Sequence, residues 1–468
     1  MWLVASRYNF RVPIGDGDLL YNANSGAVLK LSGPDAEAVS RTLCGPVTGY
    51  GPDSLPDDLR ESLQSGGFLV PSGTDEVQGI RERYLEARGV TPFVVTLTTT
   101  MNCNLGCYYC YESRTGEQLE SDDVGALERW VGDRLRSRRD RSLHVDWYGG
   151  EPLLNLEFID AASIALQEVA QRETARYSAS VISNGTAWPV DVGAFVAAHK
   201  VRQVQISFDG LQDNHDSRRR YRKDFAPGPD ASSFEAAVRL VDQLLDFVRV
   251  DVRFNIDRRN QADLMPFVEM ADRRGWFSRK FRAVIQPARL ASYSDRSAFM
   301  RRYELTATEF DTIRGELRTA VRGRAPIEES EVPDGFPVPR TSVCAALARD
   351  SFVAGADGLH YRCGLQVGEK HRAVGAWAQR ALPANPANFP DAAWWDAFEP
   401  TAQPTCSRCS FLPICWGGCP KRHLEGDRHA LDEQGAYWRT NLARLVAARF
   451  GVEPLSGFVY GQSDQFRV

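Results

Sequence analysis

The chain has 468 residues, of which 43% are hydrophobic, 10% aromatic and 25% charged, and its formal net charge is -5. These proportions are ordinary for a globular protein, so they exclude a fully disordered chain, a collagen and a coiled-coil rod. At roughly 150 residues per domain, we expect about three domains. The negative charge offers no general attraction to phosphate backbones or anionic lipid, so neither nucleic acid nor a membrane is expected as a partner.

The first residues do not have the pattern of a secretory leader, and no apolar run reaches membrane-spanning length. We therefore expect a cytoplasmic protein in a reducing compartment, where cysteines more often serve metal or redox chemistry than disulfides. Of the ten cysteines, all but Cys44 fall in two groups along the chain. These two groups are the first candidates for a functional site.

The first 88 residues have the pattern of a small α/β module. Alternating apolar residues predict three strands, at 7–14, 19–21 and 27–31. Helix-start residues at 32–35 and 56–58 predict two helices after these strands. This order predicts a winged-helix-like accessory module over residues 1–88.

Residues 89–290 alternate apolar strands with amphipathic helices, which predicts an α/β fold with a parallel sheet. Six strands are predicted, at 93–99, 143–147, 177–183, 201–207, 250–256 and 281–286. Helical stretches at 158–172, 234–247 and 264–274 are long enough for right-handed crossovers. We predict a partial (β/α)6 barrel, in which ligands bind at the carboxyl ends of the strands. A Pro-rich linker with one helix is predicted over 291–340, followed by a Cys-rich domain over 341–468.

The first cysteine group, Cys103, Cys107 and Cys110, directly follows the first barrel strand with the spacing C-x3-C-x2-C. Three thiolates on one loop can hold three irons of a 4Fe-4S cluster and leave the fourth iron open to a small molecule. A zinc loop or buried free thiols are the alternatives. At this point the sequence resembles the radical SAM superfamily. The resemblance implies that the open iron binds S-adenosylmethionine (SAM), whose one-electron reduction yields a 5'-deoxyadenosyl radical.

Further strand-end residues match positions that contact SAM in the peptide-modifying branch of this superfamily. Each alone would be an ordinary turn, cap or packing residue. The resemblance implies that Tyr109 lies against the adenine, that Glu151 after Gly149 and Gly150 pairs with the ammonium, and that Arg219 binds the carboxylate. It also assigns hydrogen bonds to SAM to three polar residues: Ser183, Asn184 and Ser207.

The second cysteine group has the spacing Cys344-x13-Gly358-x4-Cys363, then Cys406-x2-Cys409-x5-Cys415-x3-Cys419. This resembles the SPASM extension, which implies two auxiliary iron-sulfur clusters. Cys344, Cys363 and Cys419 would bind cluster I, and Cys406, Cys409 and Cys415 would bind cluster II. A ribbon-like zinc site is the alternative.

The family's usual seventh cysteine is absent, because no cysteine follows Cys419. Cluster II therefore needs another fourth ligand or has an open iron. Oxygen or nitrogen donors can replace thiolate on iron, and we expect Asp432 as the fourth ligand, ahead of His423, His429 and Glu433. Cluster I also has only three cysteines, which leaves one of its irons open.

A radical SAM barrel with auxiliary clusters resembles the anaerobic sulfatase maturases and the thioether- or cyclophane-forming maturases of ribosomally made peptides. Sulfatase maturases carry an acidic residue after the second SPASM cysteine, whereas Gly364 follows Cys363 here. The N-terminal module resembles the leader-recognition element of peptide maturases, which binds its peptide as an added strand. We therefore predict a radical SAM oxidoreductase that crosslinks a precursor peptide with a leader and takes electrons from a flavodoxin or ferredoxin. Protein side-chain oxidation, peptide epimerisation and a non-catalytic iron-sulfur carrier are the alternatives, and no catalytic base is assigned.

Overall fold

The structure of the protein is a computed structural model. It describes residues 2–44, 55–112, 114–292, 295–322, 324, 335–378, 381, 389–455 and 460–461, and it gives no side-chain account of residues 40, 41, 44, 295, 296, 460 and 461. The chain divides into two compact units. The first unit comprises Met1–Val90, Glu328–Ala348 and Ala397–Val468, and the second comprises Thr91–Ile327 and Arg349–Asp396.

The first unit begins with two small antiparallel sheets and three helices. Its strands are β1 (Leu3–Ala5), β2 (Asn9–Ile14), β3 (Gly17–Asn22), β4 (Val28–Leu31) and β5 (Leu69–Pro71), and its helices are α1 (Gly33–Cys44), α2 (Asp57–Ser65) and α3 (Glu76–Gly89). Strands β2, β3 and β4 pair in that order, and β1 pairs with β5. The strands and helices predicted for this stretch are confirmed. Leu20, Leu63 and Phe68 belong to the apolar core between them.

In the second unit, the described residues include the six predicted parallel strands and the helices that connect and follow them. The strands are β6 (Phe93–Thr98), β7 (Ser142–Tyr148), β8 (Arg176–Ser183), β9 (Val201–Phe208), β10 (Arg249–Ile256) and β11 (Ala283–Arg289). The helices are α4 (Ser121–Ser137), α5 (Leu156–Arg172), α6 (Val192–Ala198), α7 (Gln212–Arg218), α8 (Ser233–Leu244), α9 (Leu264–Arg273) and α10 (Ala307–Arg322). The strands lie in sequence order from β6 to β11, and each pair is parallel.

The alternation along β7 separates the apolar core from the other face of the sheet. In β7, Val145 and Trp147 are fully buried in the large apolar cluster of this unit, whereas Asp146 and Tyr148 are only half-buried. Successive side chains of a strand point to opposite faces, so the polar residues share one face. The carboxyl ends of all six strands meet at one edge of the sheet, where the first cysteine group follows β6.

Three short strands extend the barrel sheet beyond β6, a feature that the sequence did not predict. They are β12 (Ser351–Ala354), β13 (Leu359–Tyr361) and β14 (Gly375–Ala376), followed by α11 (Pro390–Ala397). Strand β12 pairs parallel with β6, and β13 and β14 continue antiparallel. Strands of two to four residues are too short to show a hydrophobic period.

The first unit is completed by α12 (Leu412–Cys415), α13 (Pro420–Leu424), α14 (Arg428–Ala448) and β15 (Tyr460–Gly461), which pairs with β2. Residues of strand β2 and of helix α3 pack on this part of the chain. The rings of Phe10 and Phe411 stack with centroids 5.0 Å apart, and those of Tyr84 and Trp416 meet edge to face at 5.5 Å. Within the described residues, no helix combines the length and apolar character needed to cross a membrane.

Candidate functional site

The loop that carries the first cysteine group is held against the turn after β7. The backbone N-H of Gly150 donates to Thr100 O, and that of Glu151 donates to Asn102 O, each at 2.9 Å. A Cβ atom at Gly149 would lie 2.4 Å from Thr100 O, and one at Gly150 would lie 2.3 Å from Asn102 O. Both glycines are thus required by the approach of the cysteine loop itself.

Glu151 is a fully buried carboxyl that joins the ends of β7 and β8. Its Oε1 accepts from Ser183 Oγ at 2.9 Å and from the backbone N-H of Leu153 at 3.4 Å, and its Oε2 accepts from the backbone N-H of Asn184 at 2.8 Å. Burial raises the pKa of Glu151 to about 7, although these hydrogen bonds oppose the shift. A carboxylate has about four acceptor positions, so the carboxylate retains capacity for one more donor, as an ammonium group requires.

Asp209, after β9, is the centre of a second buried network. Its Oδ1 accepts from the Tyr109 hydroxyl at 2.7 Å and pairs with Arg219 Nη1 at 3.3 Å, and its Oδ2 accepts from Arg218 Nε at 3.0 Å. Burial alone would raise the pKa of Asp209, but the Arg219 and Arg218 guanidiniums outweigh it and the pKa is lowered. Arg218 also pairs with the buried Asp257.

Arg219 has an unused donor in this network. Its Nη1 bonds to Tyr109 and Asp209, whereas its buried Nε has no hydrogen-bond partner among the described residues. A buried donor without a partner is costly, and a bound carboxylate would satisfy it. This geometry fits the carboxylate of an amino acid such as SAM.

The three thiols of the first group lie on one enclosed loop. Burial raises the pKa of Cys103 to about 12 and that of Cys110 to about 11, and it also raises the pKa of Cys107. The Asn184 amide donates to Cys103 Sγ at 3.7 Å, which is a contact suited to a sulfur ligand. Iron binding requires thiolates, so loading this loop must displace its protons. The donor set fits a 4Fe-4S cluster with one open iron.

Two residues that the sequence analysis did not select hold this loop. Arg222 Nη1 donates to Asn102 Oδ1 at 2.7 Å and to Cys103 O at 2.9 Å. The Asn104 side chain bonds to Asn184 and to Thr186 Oγ1, each at 2.8 Å. Arg222 lies in a run of basic residues, and the sequence gave no reason to place it against the cysteine loop. Its hydrogen-bond partners are more than a hundred residues away in the chain.

A further enclosed carboxyl, Glu112, directly follows Cys110 and Tyr111. Burial raises the pKa of Glu112 to about 7, and its hydrogen bond with Tyr148 acts against this shift. The hydroxyls of Tyr148 and Tyr111 bond to each other. Ser207, at the end of β9, is half-buried and lies opposite Arg253 of β10 in the sheet register.

In the second cysteine group, Cys406, Cys409 and Cys415 lie close together in the first unit. Burial is the main cause of the raised pKa of Cys406 and of Cys415, which reaches about 11, and the neighbouring thiol of Cys409 adds to both shifts. The Trp438 side chain hydrogen-bonds to Cys415. Cys344 and Cys419 of the same unit are also electrostatic neighbours, and Cys363 belongs to the second unit.

Asp432, the expected fourth ligand of cluster II, is exposed on α14. None of the nine described cysteines is in a disulfide. Within the described ranges, no three His, Cys, Asp or Glu side chains are arranged to hold a metal ion. A four-iron cluster spreads its thiolates more widely than one ion does, because each thiolate binds a different iron.

Comparison with known proteins identifies the second unit. The radical SAM superfamily model matches residues 97–271. The serine-type anaerobic sulfatase-maturating enzyme of Klebsiella aerogenes is 26% identical over 352 residues, which cover 72% of this chain and 81% of that enzyme. The radical SAM cyclopropyl synthase TigE of Paramaledivibacter caminithermalis is 22% identical over 181 residues, covering 34% of this chain and 37% of the synthase. This chain thus spans little more than a third of that synthase.

The fold is also that of a solved sulfatase-maturase structure. The structure of native anSMEcpe with bound AdoMet and Kp18Cys peptide aligns with a TM-score of 0.53 at 16% identity, over 77% of this chain and 100% of that chain. The likeness in fold, the family match and the sulfatase-maturase relative agree with one another. Residues 97–271 therefore form a radical SAM domain, and the chain is similar to a serine-type anaerobic sulfatase-maturating enzyme over 72% of its length.

Proposed function

We propose that this chain is a cytoplasmic radical SAM/SPASM maturase that installs an intramolecular crosslink, of the thioether or cyclophane type, in a ribosomally made precursor peptide. The observation that carries the proposal is the pair of buried networks at the strand ends. One network is centred on Glu151, whose carboxylate has one acceptor position unused. The other is centred on Asp209 and includes Arg219, whose Nε donor is unused. An amino acid head group carries the matching ammonium and carboxylate.

In this proposal Cys103, Cys107 and Cys110 hold the first cluster, while Glu151, Arg219 and Tyr109 orient SAM, with Ser183, Asn184 and Ser207 beside it. When bound, the reduced cluster and SAM supply a 5'-deoxyadenosyl radical that abstracts a hydrogen atom from the peptide. The chain's own contribution is positioning. Glu151 and Arg219 bind the two charged ends of the amino acid in a dry site, where such contacts are strong.

The second cysteine group would hold two auxiliary clusters, with Cys344, Cys363 and Cys419 on cluster I and Cys406, Cys409 and Cys415 on cluster II. These clusters would carry the second electron away from the substrate, and a flavodoxin or ferredoxin would supply the first. Gly364 stands where sulfatase maturases carry an acid, which favours a crosslink over sulfatase maturation. In place of that missing acid, Glu112 offers a carboxyl beside Tyr148 in the second unit.

The N-terminal module would bind the leader of the precursor. Strand β4 pairs with β3 on one side only within the described residues, whereas β15 lies on the far edge of the same sheet. An extended peptide can add to such an edge through its main chain. The leader would thus lie along Val28–Leu31.

The deciding experiment incubates the anaerobically reconstituted enzyme with SAM, a reductant and a precursor peptide with its leader, and reads the product by fragmentation mass spectrometry. We expect a loss of two hydrogens, with no fragments between two linked residues. Cys103→Ala should abolish SAM cleavage but retain auxiliary iron. Loss of two hydrogens with full fragmentation would indicate side-chain oxidation, and deuterium uptake at unchanged composition would indicate epimerisation. Cluster binding without SAM cleavage would leave only an electron carrier.

A further inference from the structure

Tyr8 has a buried hydroxyl that the structure leaves unused. Tyr8 lies between β1 and β2 in the chain, and its side chain is fully buried. Its hydroxyl oxygen makes no hydrogen bond to any residue that the structure describes. An orphaned buried hydroxyl costs about 1–3 kcal/mol, so a native protein retains one where another group satisfies it.

The residues around Tyr8 indicate that the missing partner of its hydroxyl would lie at the second cysteine group. Arg7 Nη2 donates to the carbonyl of Ser407, between Cys406 and Cys409, at 3.0 Å. The charged neighbours of the Tyr8 hydroxyl are Arg7 and Glu76, followed by the Cys409 thiol and Arg83, and the hydroxyl bonds to none of them. Two residues farther on, Phe10 stacks on Phe411. The Arg7–Phe10 stretch is thus packed along the loop of cluster II.

Cys406, Cys409 and Cys415 supply three ligands to a four-iron cluster, so the fourth iron has no cysteine ligand on this loop. The other candidates are poorly placed. Asp432 is exposed, and His423 Nε2 is bonded to Gly417 O at 2.7 Å. Trp438 is already bonded to Cys415, and an indole N-H can only donate. A phenol oxygen can bind iron.

We propose that the Tyr8 oxygen is the fourth protein ligand of the second auxiliary cluster, beside Cys406, Cys409 and Cys415. The inference rests on the auxiliary clusters of the proposed function. Binding replaces the O-H bond of the phenol by an O-Fe bond, and the proton leaves to solvent, with no change in oxidation state. A residue of the peptide-binding module would then coordinate iron directly, which ties that module to the redox centre.

The test uses the full chain with Cys103, Cys107 and Cys110 replaced by alanine, so that auxiliary iron alone is observed. Resonance Raman spectra of the reconstituted parent should contain iron-tyrosinate modes. Tyr8→Phe should abolish them and, on mild oxidation, give the EPR signal of a three-iron cluster. The matched control is Tyr21→Phe, since Tyr21 is equally buried in the same unit but its hydroxyl donates to Pro337 O at 2.8 Å. His423→Gln should also keep the parent spectrum.

The outcomes separate this inference from the proposed function. A parent protein that takes up no auxiliary iron would overturn the auxiliary clusters, and the ligand with them. A parent with both clusters but no tyrosinate modes would overturn the Tyr8 ligand alone. The parent spectrum decides this without any substitution at Tyr8, so a variant that fails to fold does not remove the test.

Discussion

At the scale of single residues, the site depends on buried carboxyls and guanidiniums, of which Glu151 and Arg219 each keep one position unused. Burying a charge is expensive unless it is paired. Asp209 and Asp257 pair with Arg218 of α7, and Glu151 accepts a hydrogen bond from Ser183 at the end of β8. The sequence identified Glu151 and Arg219 through their positions after strands. It did not identify Asp209 or Arg218, because their importance arises from contacts that only the folded barrel creates.

The raised pKa of Glu151, about 7, predicts a pH dependence of SAM binding. The neutral acid offers no charge to an ammonium, and with a pKa of 7 the ionised fraction falls roughly tenfold from pH 8 to pH 6. We expect SAM to bind about tenfold more weakly at pH 6, as measured by anaerobic equilibrium dialysis with the cluster-loaded enzyme. Glu151→Gln should bind weakly at every pH. Parallel pH profiles for the two proteins would refute the assignment.

Arg218 is predicted to be a stability residue. Arg218→Ala leaves the fully buried Asp257 and Asp209 with one guanidinium fewer each, a loss of the order of 3 kcal/mol. The apparent Tm of the variant should drop by several degrees in thermal unfolding followed by circular dichroism. Arg258→Ala is the matched control, because the Arg258–Glu309 pair is exposed and such pairs contribute at most about 1 kcal/mol. Equal effects of the two changes would contradict the argument.

At the scale of elements, the barrel was largely predictable because its strands are long enough to show their period. The strands predicted at 93–99 and 250–256 are observed at Phe93–Thr98 and Arg249–Ile256. Helix α14 begins at Arg428, because Asp427 caps it by accepting from the Ala430 N-H. That cap was visible in the sequence. The pairing of β12 with β6 was not, because four residues carry no period.

The turn after β7 predicts a steric test of how the cysteine loop is held. Gly150→Ala places a methyl group 2.3 Å from Asn102 O, so the loop must move away. We expect this variant to bind less iron at the first site and to lose SAM cleavage, while its auxiliary iron content stays unchanged. Gly125→Ala, on α4, is the control, since its Cβ would meet only the Arg129 side chain at 3.5 Å. Normal iron at the first site in Gly150→Ala would count against this account.

At the scale of the whole molecule, the N-terminal module and the loop of Cys406, Cys409 and Cys415 belong to the same compact unit. A sequence read in linear order places them at opposite ends of the chain. Nothing in either segment alone indicates that they pack together, because complementary surfaces such as Phe10 on Phe411 have no periodic or compositional trace.

This arrangement predicts the effect of deleting residues 1–90. All nine cysteines of the two groups remain, but Phe411 and Trp416 lose the aromatic rings that cover them. We expect the truncated protein to keep the iron of the first site and to lose that of Cys406, Cys409 and Cys415, as measured by iron analysis with and without the first three cysteines. If the module served peptide binding alone, the iron content would not change.

The three-segment make-up of the first unit also has a consequence during synthesis. A ribosome completes Ala397–Val468 only after it has made the entire second unit. At roughly 5–20 residues per second, the strands around Phe10 wait on the order of tens of seconds for the loop on which they pack. The barrel can fold meanwhile, whereas the nascent N-terminal strands keep apolar side chains uncovered. We therefore expect the yield of folded protein from a cell to depend on chaperone capacity.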